Sequence, residues 1–287
     1  MAAVDPGLKI GSVTLAVADL PRSVDFYQRV LGLPVISSEP DTAWLGPDRE
    51  HPSLVLSDIA RPASAPPGST GLFHVAWLHP SRAALAETVR RIAAHPWPFD
   101  GASDHGVSEA LYLSDPDGLG IEIYADRPRE QWERPVGGRG VRMVTLPLDV
   151  EDLLAQSPEE SAAAMAAGTG VGHVHLKVSD VPRATAFYGG ALGFEEQARL
   201  PSAAFLSAGG YHHHVGLNSW QSQGGAEPPE DAPGLRGVRF ELSDAQAVDS
   251  LERGLAEEAS ARADDGSVTV RDPDSQLLVF ATPDRLR

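Results

Sequence analysis

Apolar positions alternate with polar or small ones along Ser12–Val17 (SVTLAV), the period of a half-buried strand. The period then changes. Val24, Tyr27, Val30 and Leu31 form an apolar stripe at helical spacing, with Asp19 placed to cap it, Pro21 in its first turn and Gly32 at its C-terminal stop. Three short strand-like runs follow, LPVISS, TAWLG and SLVLSD, so this unit reads βαβββ.

The same order returns three times. A second unit opens with GLFHVAWL, runs through a helix marked by Leu85, Val89 and Ile92, and closes with EALYLSDPDGLGIEIYA. A third begins at His173 and ends in AAFLSAGG and YHHHVGLN. The fourth starts with GVRFELSD, has a helix with Val248, Leu251 and Leu255, and ends in SVTVRDPDSQLLVFA. Ser12–Leu33 aligns without a gap on His173–Phe194, and DPDGLGIEIYA matches DPDSQLLVFA, so the chain reads as a duplication of a two-unit half.

The pattern predicts an N-terminal half over 1–130, with modules 8–60 and 70–126, and a C-terminal half over 171–287, with modules 171–222 and 234–285. Residues 131–170, with a VGGRG turn, a short strand-like run and an alanine-rich polar stretch, read as the linker.

Composition narrows the function classes. A chain of 287 residues with 42% hydrophobic and 22% charged residues is expected to build a large soluble core. Its formal charge of -17 argues against nucleic acid or an anionic membrane as partner. Nothing in MAAVDPGLKIGS resembles a secretory leader, and no apolar run reaches membrane-spanning length, so a cytoplasmic location is expected. Cysteine is absent, which excludes disulfides, thiolate nucleophiles and thiolate metal sites. A metal would have to sit on His, Asp or Glu.

Such residues are unevenly distributed. At the first-strand position the four units carry Ser12, His74, His173 and Gly237; at the last-strand position they carry Ser53, Glu122, His214 and Val279, where Ser53 and His214 rest on a one-residue gap. The inner units hold every ligand-capable residue. If unit two faces unit three, His74, Glu122 and His173 converge as a 2-His-1-carboxylate set with His214 as an optional fourth ligand; if units pair sequentially, each cavity holds only two. A single strand histidine is more often a hydrogen-bonded structural residue, and it is the coincidence across two units that favours a metal.

Strand alternation would send His212 and His214 to one face and His213 to the other. His105, beside Asp104 and Glu109, is a candidate acid/base at the cavity mouth, as is His212, and Tyr211 is a candidate proton donor. His175 shares the face of His173, while His79 and His95 read as capping or surface residues. No phosphate-binding glycine loop, G-x-S-x-G elbow or H-E-x-x-H helix is present.

The strand-D-L-P-R-S-x-x-F-Y-x-x-x-L-G-L signature, with DPDG-x-x-IE-x-Y closing unit two, resembles the vicinal oxygen chelate superfamily of glyoxalases, bleomycin-resistance proteins and extradiol dioxygenases. DHGVSEALYLSDPDG, IEIYADRPREQW and SAGGYHHHVGLNSW look most like its four-module catechol-2,3-dioxygenase branch. The resemblance implies an α+β fold of four tandem βαβββ modules forming two paired open barrels, with a metal held from first-strand and last-strand positions. It further implies a ring-cleaving dioxygenase taking a catechol or hydroquinone-like aromatic and O2 on Fe(II), with Mn(II), Ni(II) or Zn(II) as alternative metals. A glyoxalase-like isomerase or lyase, favoured by His214 as fourth ligand, and a non-catalytic small-molecule-binding protein are the competing readings. A homodimer is the base-rate expectation.

Overall fold

Each unit builds the predicted βαβββ order. The structure, a computed structural model, describes residues 3–59, 61–135, 140–157, 163–255 and 260–283. Unit one comprises β1 (Lys9–Val17), α1 (Leu20–Arg29), β2 (Val35–Ser38), β3 (Thr42–Leu45) and β4 (Leu54–Asp58). Unit two comprises β5 (Gly71–His79), α2 (Arg82–Ala94), β6 (Gly101–Asp104), β7 (Ser108–Ser114) and β8 (Gly120–Asp126). After a connecting segment with the short α3 (Val150–Leu154), unit three gives β9 (Gly170–Lys177), α4 (Val181–Thr185), β10 (Glu195–Leu200), β11 (Ala203–Ser207) and β12 (Val215–Asn218). Unit four gives β13 (Gly234–Glu241), α5 (Ala245–Gly254), β14 (Ser260–Arg262), β15 (Val268–Arg271) and β16 (Leu277–Ala281).

Local chemistry accounts for the helix starts. Asp19, Ser81, Asp180 and Asp244 each accept a hydrogen bond from the backbone N–H three residues on, satisfying a donor that the first turn leaves free. In unit three the α-helix gives way to a wider π-type turn over Ala186–Ala191, where Gly189 and Gly190 replace the Gln28 and Arg29 of α1.

The strands form two curled eight-stranded sheets. One runs β14-β15-β16-β13-β1-β4-β3-β2 and the other β10-β11-β12-β9-β5-β8-β7-β6. Outer units one and four therefore share one open barrel, and inner units two and three share the other. Each sheet takes one unit from each half of the sequence. The inner seam is antiparallel, with Val75 opposite Val174, while each first strand pairs in parallel with its own last strand, Ala76 opposite Glu122 and His175 opposite Gly216.

The repeat motifs join the two barrels. Tyr27 of the first F-Y pair donates to Asp115 of the first DPD turn at 3.1 Å, and Tyr188 of the second pair donates to Asp272 of the second turn at 3.0 Å. Arg22 pairs with Asp117 and Arg183 with Asp274 beside them. All four contacts run from one barrel to the other. Among the described residues no helix is long and apolar enough to cross a membrane.

Candidate metal centre and cavity

Three side chains converge inside the inner barrel. His74 projects from β5, His173 from β9 and Glu122 from β8, and one donor atom of each lies within 4.8 Å of the others. His74 Nε2 stands 2.9 Å and His173 Nε2 3.2 Å from the same oxygen, Oε2 of Glu122. All three are buried. The geometry depends on the inner seam: β5 and β9 run side by side, so two histidines distant in sequence face one point.

The donor set fits a divalent transition metal. Burial pushes the His173 imidazole down to about 4, so it is neutral near pH 7 and offers a lone pair. Burial opposes ionisation of Glu122, but the neighbouring imidazoles of His173 and His74 outweigh it and hold the carboxyl well below its ordinary value. His74 Nε2 is buried with no well-formed hydrogen bond, a polar atom that a bound cation would satisfy. Two imidazoles and a carboxylate suit Fe(II) or Mn(II) and would leave coordination positions open.

His214 is not in this cluster. By strand register the place equivalent to Glu122 in unit three is Gly216, opposite His175, and in unit one it is Val55, opposite Thr14. The expected positions Ser53 and His214 are each two residues early. His214 instead accepts the Ala208 N–H on Nδ1 at 3.2 Å and stacks near Tyr211. A Cβ on Gly216 would lie 2.8 Å from the His175 ring, so His175 occupies the room that a fourth ligand would need.

The histidine run departs from the alternation expected of it because it is not a strand. Gly209 and Gly210 have φ of +59° and +66°, and β12 begins only at Val215, so residues 211–214 follow a loop path. His213, not its neighbours, reaches the cavity, its ring 3.9 Å from that of His173. His212 is buried one layer back, with Nδ1 2.7 Å from His213 Nδ1 and Nε2 2.9 Å from Asp126. Tyr211 lies beside it, its hydroxyl 2.8 Å from that of Tyr124 and 3.3 Å from Asp126. Neither Tyr211 nor His212 lines the cavity.

His105 does line it. Its Nδ1–H donates to the Val144 carbonyl at 2.7 Å, which leaves Nε2 to accept the Tyr112 hydroxyl at 2.6 Å. Burial and the nearby Glu122 push the Tyr112 phenol far above its ordinary value, so it stays protonated. Asp104 and Glu109 are engaged by Arg127, and Glu109 also by Arg82, which holds the β6–β7 hairpin rather than serving the cavity.

Sequence reading missed Tyr112, although the hairpin carried the signal: a turn centred on DPDG sets Tyr112 directly opposite Glu122. His175 packs against His74 at 4.9 Å between ring centroids. His95 closes α2 as expected, whereas His79 is buried rather than superficial, bridging the Trp77 carbonyl and the Thr88 hydroxyl. His74, His105, Tyr112, Glu122, His175 and His213 open onto a cavity of about 770 Å³ whose other walls include Phe73, Phe205 and Trp220.

A βαβββ quartet with a two-histidine, one-carboxylate centre defines a class, and comparison with known proteins identifies it. The family model for the Glyoxalase/Bleomycin resistance protein/Dioxygenase superfamily matches residues 9–123 and 170–280, and the chain belongs to that superfamily. Among its relatives is the catechol-2,3-dioxygenase of Bacillus subtilis (strain 168), 42% identical over 238 residues, spanning 82% of this chain and 83% of that one. The fold matches a crystal structure from Bacillus subtilis at a TM-score of 0.66 and 15% identity, covering 99% of this chain and 87% of that one. It also matches glyoxalase I from Zea mays at 0.58 and 16%, covering 97% and 94%.

Proposed function

We propose that this protein is a metal-dependent extradiol dioxygenase that cleaves the ring of a catechol or hydroquinone-like aromatic with O2. The observation that carries the reading is the convergence of His74, Glu122 and His173 on one point at the wall of a large, partly apolar cavity. The 42% identity to a catechol-2,3-dioxygenase supports the same chemistry. His74, Glu122 and His173 would hold the metal, with Fe(II) the best match to the donors. When bound, the metal supplies a Lewis acid that lowers the pKa of a phenolic ligand and holds the diol and dioxygen together.

The remaining work falls to the chain. His105 Nε2, kept as an acceptor by the bond from Nδ1–H to Val144, takes the proton of a substrate hydroxyl through the Tyr112 hydroxyl. Tyr112 in turn gives that proton site a fixed position beside Glu122. Phe73 and Phe205 offer apolar faces to the ring and exclude water. His213, which burial and its histidine neighbours hold well below its ordinary pKa, adds a neutral hydrogen-bonding group to the wall. With Gly216 at the register position of Glu122 in unit three, β12 offers no fourth ligand of the kind that would favour Ni(II) or Zn(II) and the glyoxalase-like alternative.

The deciding experiment is anaerobic reconstitution with Fe(II), metal analysis, and dioxygen uptake with catechol. About one iron per chain and catechol-dependent uptake with a coloured ring-opened product are expected. Nickel or zinc binding without uptake would favour the isomerase, and stoichiometric ligand binding by metal-free protein would favour the binding module.

A further inference from the structure

The chain holds two lysines, Lys9 and Lys177. Lys9 is exposed, whereas Lys177 is half-buried at the end of β9, and among the described residues no hydrogen bond or ion pair satisfies its ammonium. Burial pulls that ammonium below its ordinary pKa, and no carboxylate opposes the shift. Its counterpart in the first repeat is the buried Ala16, so the strand itself does not call for a cation at this place. A charge withdrawn from water without a partner costs stability, and an anion would offset that cost.

Lys177 lines a cavity of about 570 Å³ at the junction of the two barrels, which shares no lining residue with the metal cavity. Gly71 stands opposite Lys177 across the β5–β9 seam with a φ of +126°, and a Cβ there would meet nothing within 4 Å. Gly118, in the turn between β7 and β8, is likewise open at a φ of +79°. Space is thus kept where side chains would otherwise stand. Arg236 enters the same cavity from β13. The backbone carbonyls of Glu230 and Ala232 accept from its guanidinium and fix it without neutralising it, and the acid that acts on it is the exposed carboxylate of Glu230. Asp117, the acid in the cavity wall, is engaged by Arg22 and by the Ala18 N–H. In a chain of formal charge -17 this cavity therefore presents two cations and no unengaged acid.

The walls favour a carboxylate over a phosphate. Pro66, Pro67, Pro228 and Pro233 contribute apolar rings and no N–H groups, and no described helix begins at the cavity, so the nest of backbone donors that suits phosphate is lacking. Side-chain cations beside proline rings suit a short carbon skeleton that ends in a carboxylate, and the volume admits a small molecule. We propose that the cavity between the barrels is a second binding site, which takes a small organic carboxylate on Lys177 and Arg236. This site stands independently of the dioxygenase reading.

The test is calorimetric titration of the Fe(II)-loaded protein, saturated with catechol under argon, with succinate and separately with inorganic phosphate. Acetylation rates of both lysines are followed by mass spectrometry. One succinate per chain is expected with a Kd below about 1 mM, and phosphate should bind at least tenfold more weakly. Saturating succinate should slow acetylation of Lys177 at least fivefold and leave Lys9 unchanged. Lys177→Met keeps the aliphatic stem and removes the charge, so succinate affinity should fall at least tenfold at unchanged metal content, whereas Lys177→Arg should retain it within about threefold. If Lys177→Met does not fold, protection of Lys177 in the parent decides the matter. Binding of neither anion, preference for phosphate, affinity untouched by Lys177→Met, or succinate binding that leaves the Lys177 rate unchanged would each overturn the proposal.

Discussion

At the scale of single residues, the site depends on which side chains can surrender a lone pair to one point. His74→Ala and His173→Ala each delete a converging donor, and both should reduce metal to background by elemental analysis. Ser12→Ala lies in the other barrel, and His214→Ala removes a ring held by Ala208 rather than by the cluster; both should retain about one metal per chain. His105→Gln should lower kcat roughly a hundredfold with little change in KM or metal content, the loss typical of a positioned acid/base. These residues differed in how legible they were. Comparing equivalent strand positions was enough to single out His74, Glu122 and His173, because the repeat aligns them. Displacing His214 in favour of Gly216 required the register of β12 on β9, which a two-glycine turn sets and periodicity does not reveal.

At the scale of elements, that turn has a measurable role. Gly209 has a φ of +59° and a Cβ there would fall 2.3 Å from the Pro6 carbonyl oxygen, so two constraints exclude a side chain. Gly209→Ala should cost about 1–3 kcal/mol in denaturant unfolding and should move His213 from the cavity wall, weakening binding of an aromatic diol. Strands and helices were well anticipated, since alternation, N-caps and C-terminal glycines act within a few residues. The exception is unit three, where Gly189 and Gly190 widen the helix. The placement of residues 141–146 lay outside local pattern: their sequence reads as a short isolated strand, and only the backbone hydrogen bonds to β10 and β6 fix where they lie.

At the scale of the whole molecule, the barrels meet through two buried Tyr–Asp pairs, and these make stability depend on pH. Burial raises Asp115 and Asp272 from 3.8 to about 6, against backbone N–H donors that favour the ionised form. The folded chain thus holds protons that the unfolded chain releases. The stabilisation is complete below about pH 4 and is lost as pH rises through about 6. Asp115→Asn keeps the hydrogen-bonding shape without the charge, so its stability relative to the parent should improve by roughly 2 kcal/mol between pH 4 and pH 7. Urea unfolding at both pH values measures the difference, and no change in it would assign the raised value elsewhere.

The sequence by itself determined the four βαβββ modules, their caps and turns, the absence of thiol chemistry and the three donors that could hold a metal, because each is encoded in short-range periodicity or in the matching of repeats. Tertiary structure alone decided that inner units pair with inner units, that Gly216 and not His214 stands at the fourth-ligand place, that His213 faces the cavity and His212 does not, and that residues 141–146 bridge β10 and β6. Each of those outcomes turns on strand register or on which distant edges meet. Such long-range choices are made by the burial of whole faces, and no local run of residues carries them.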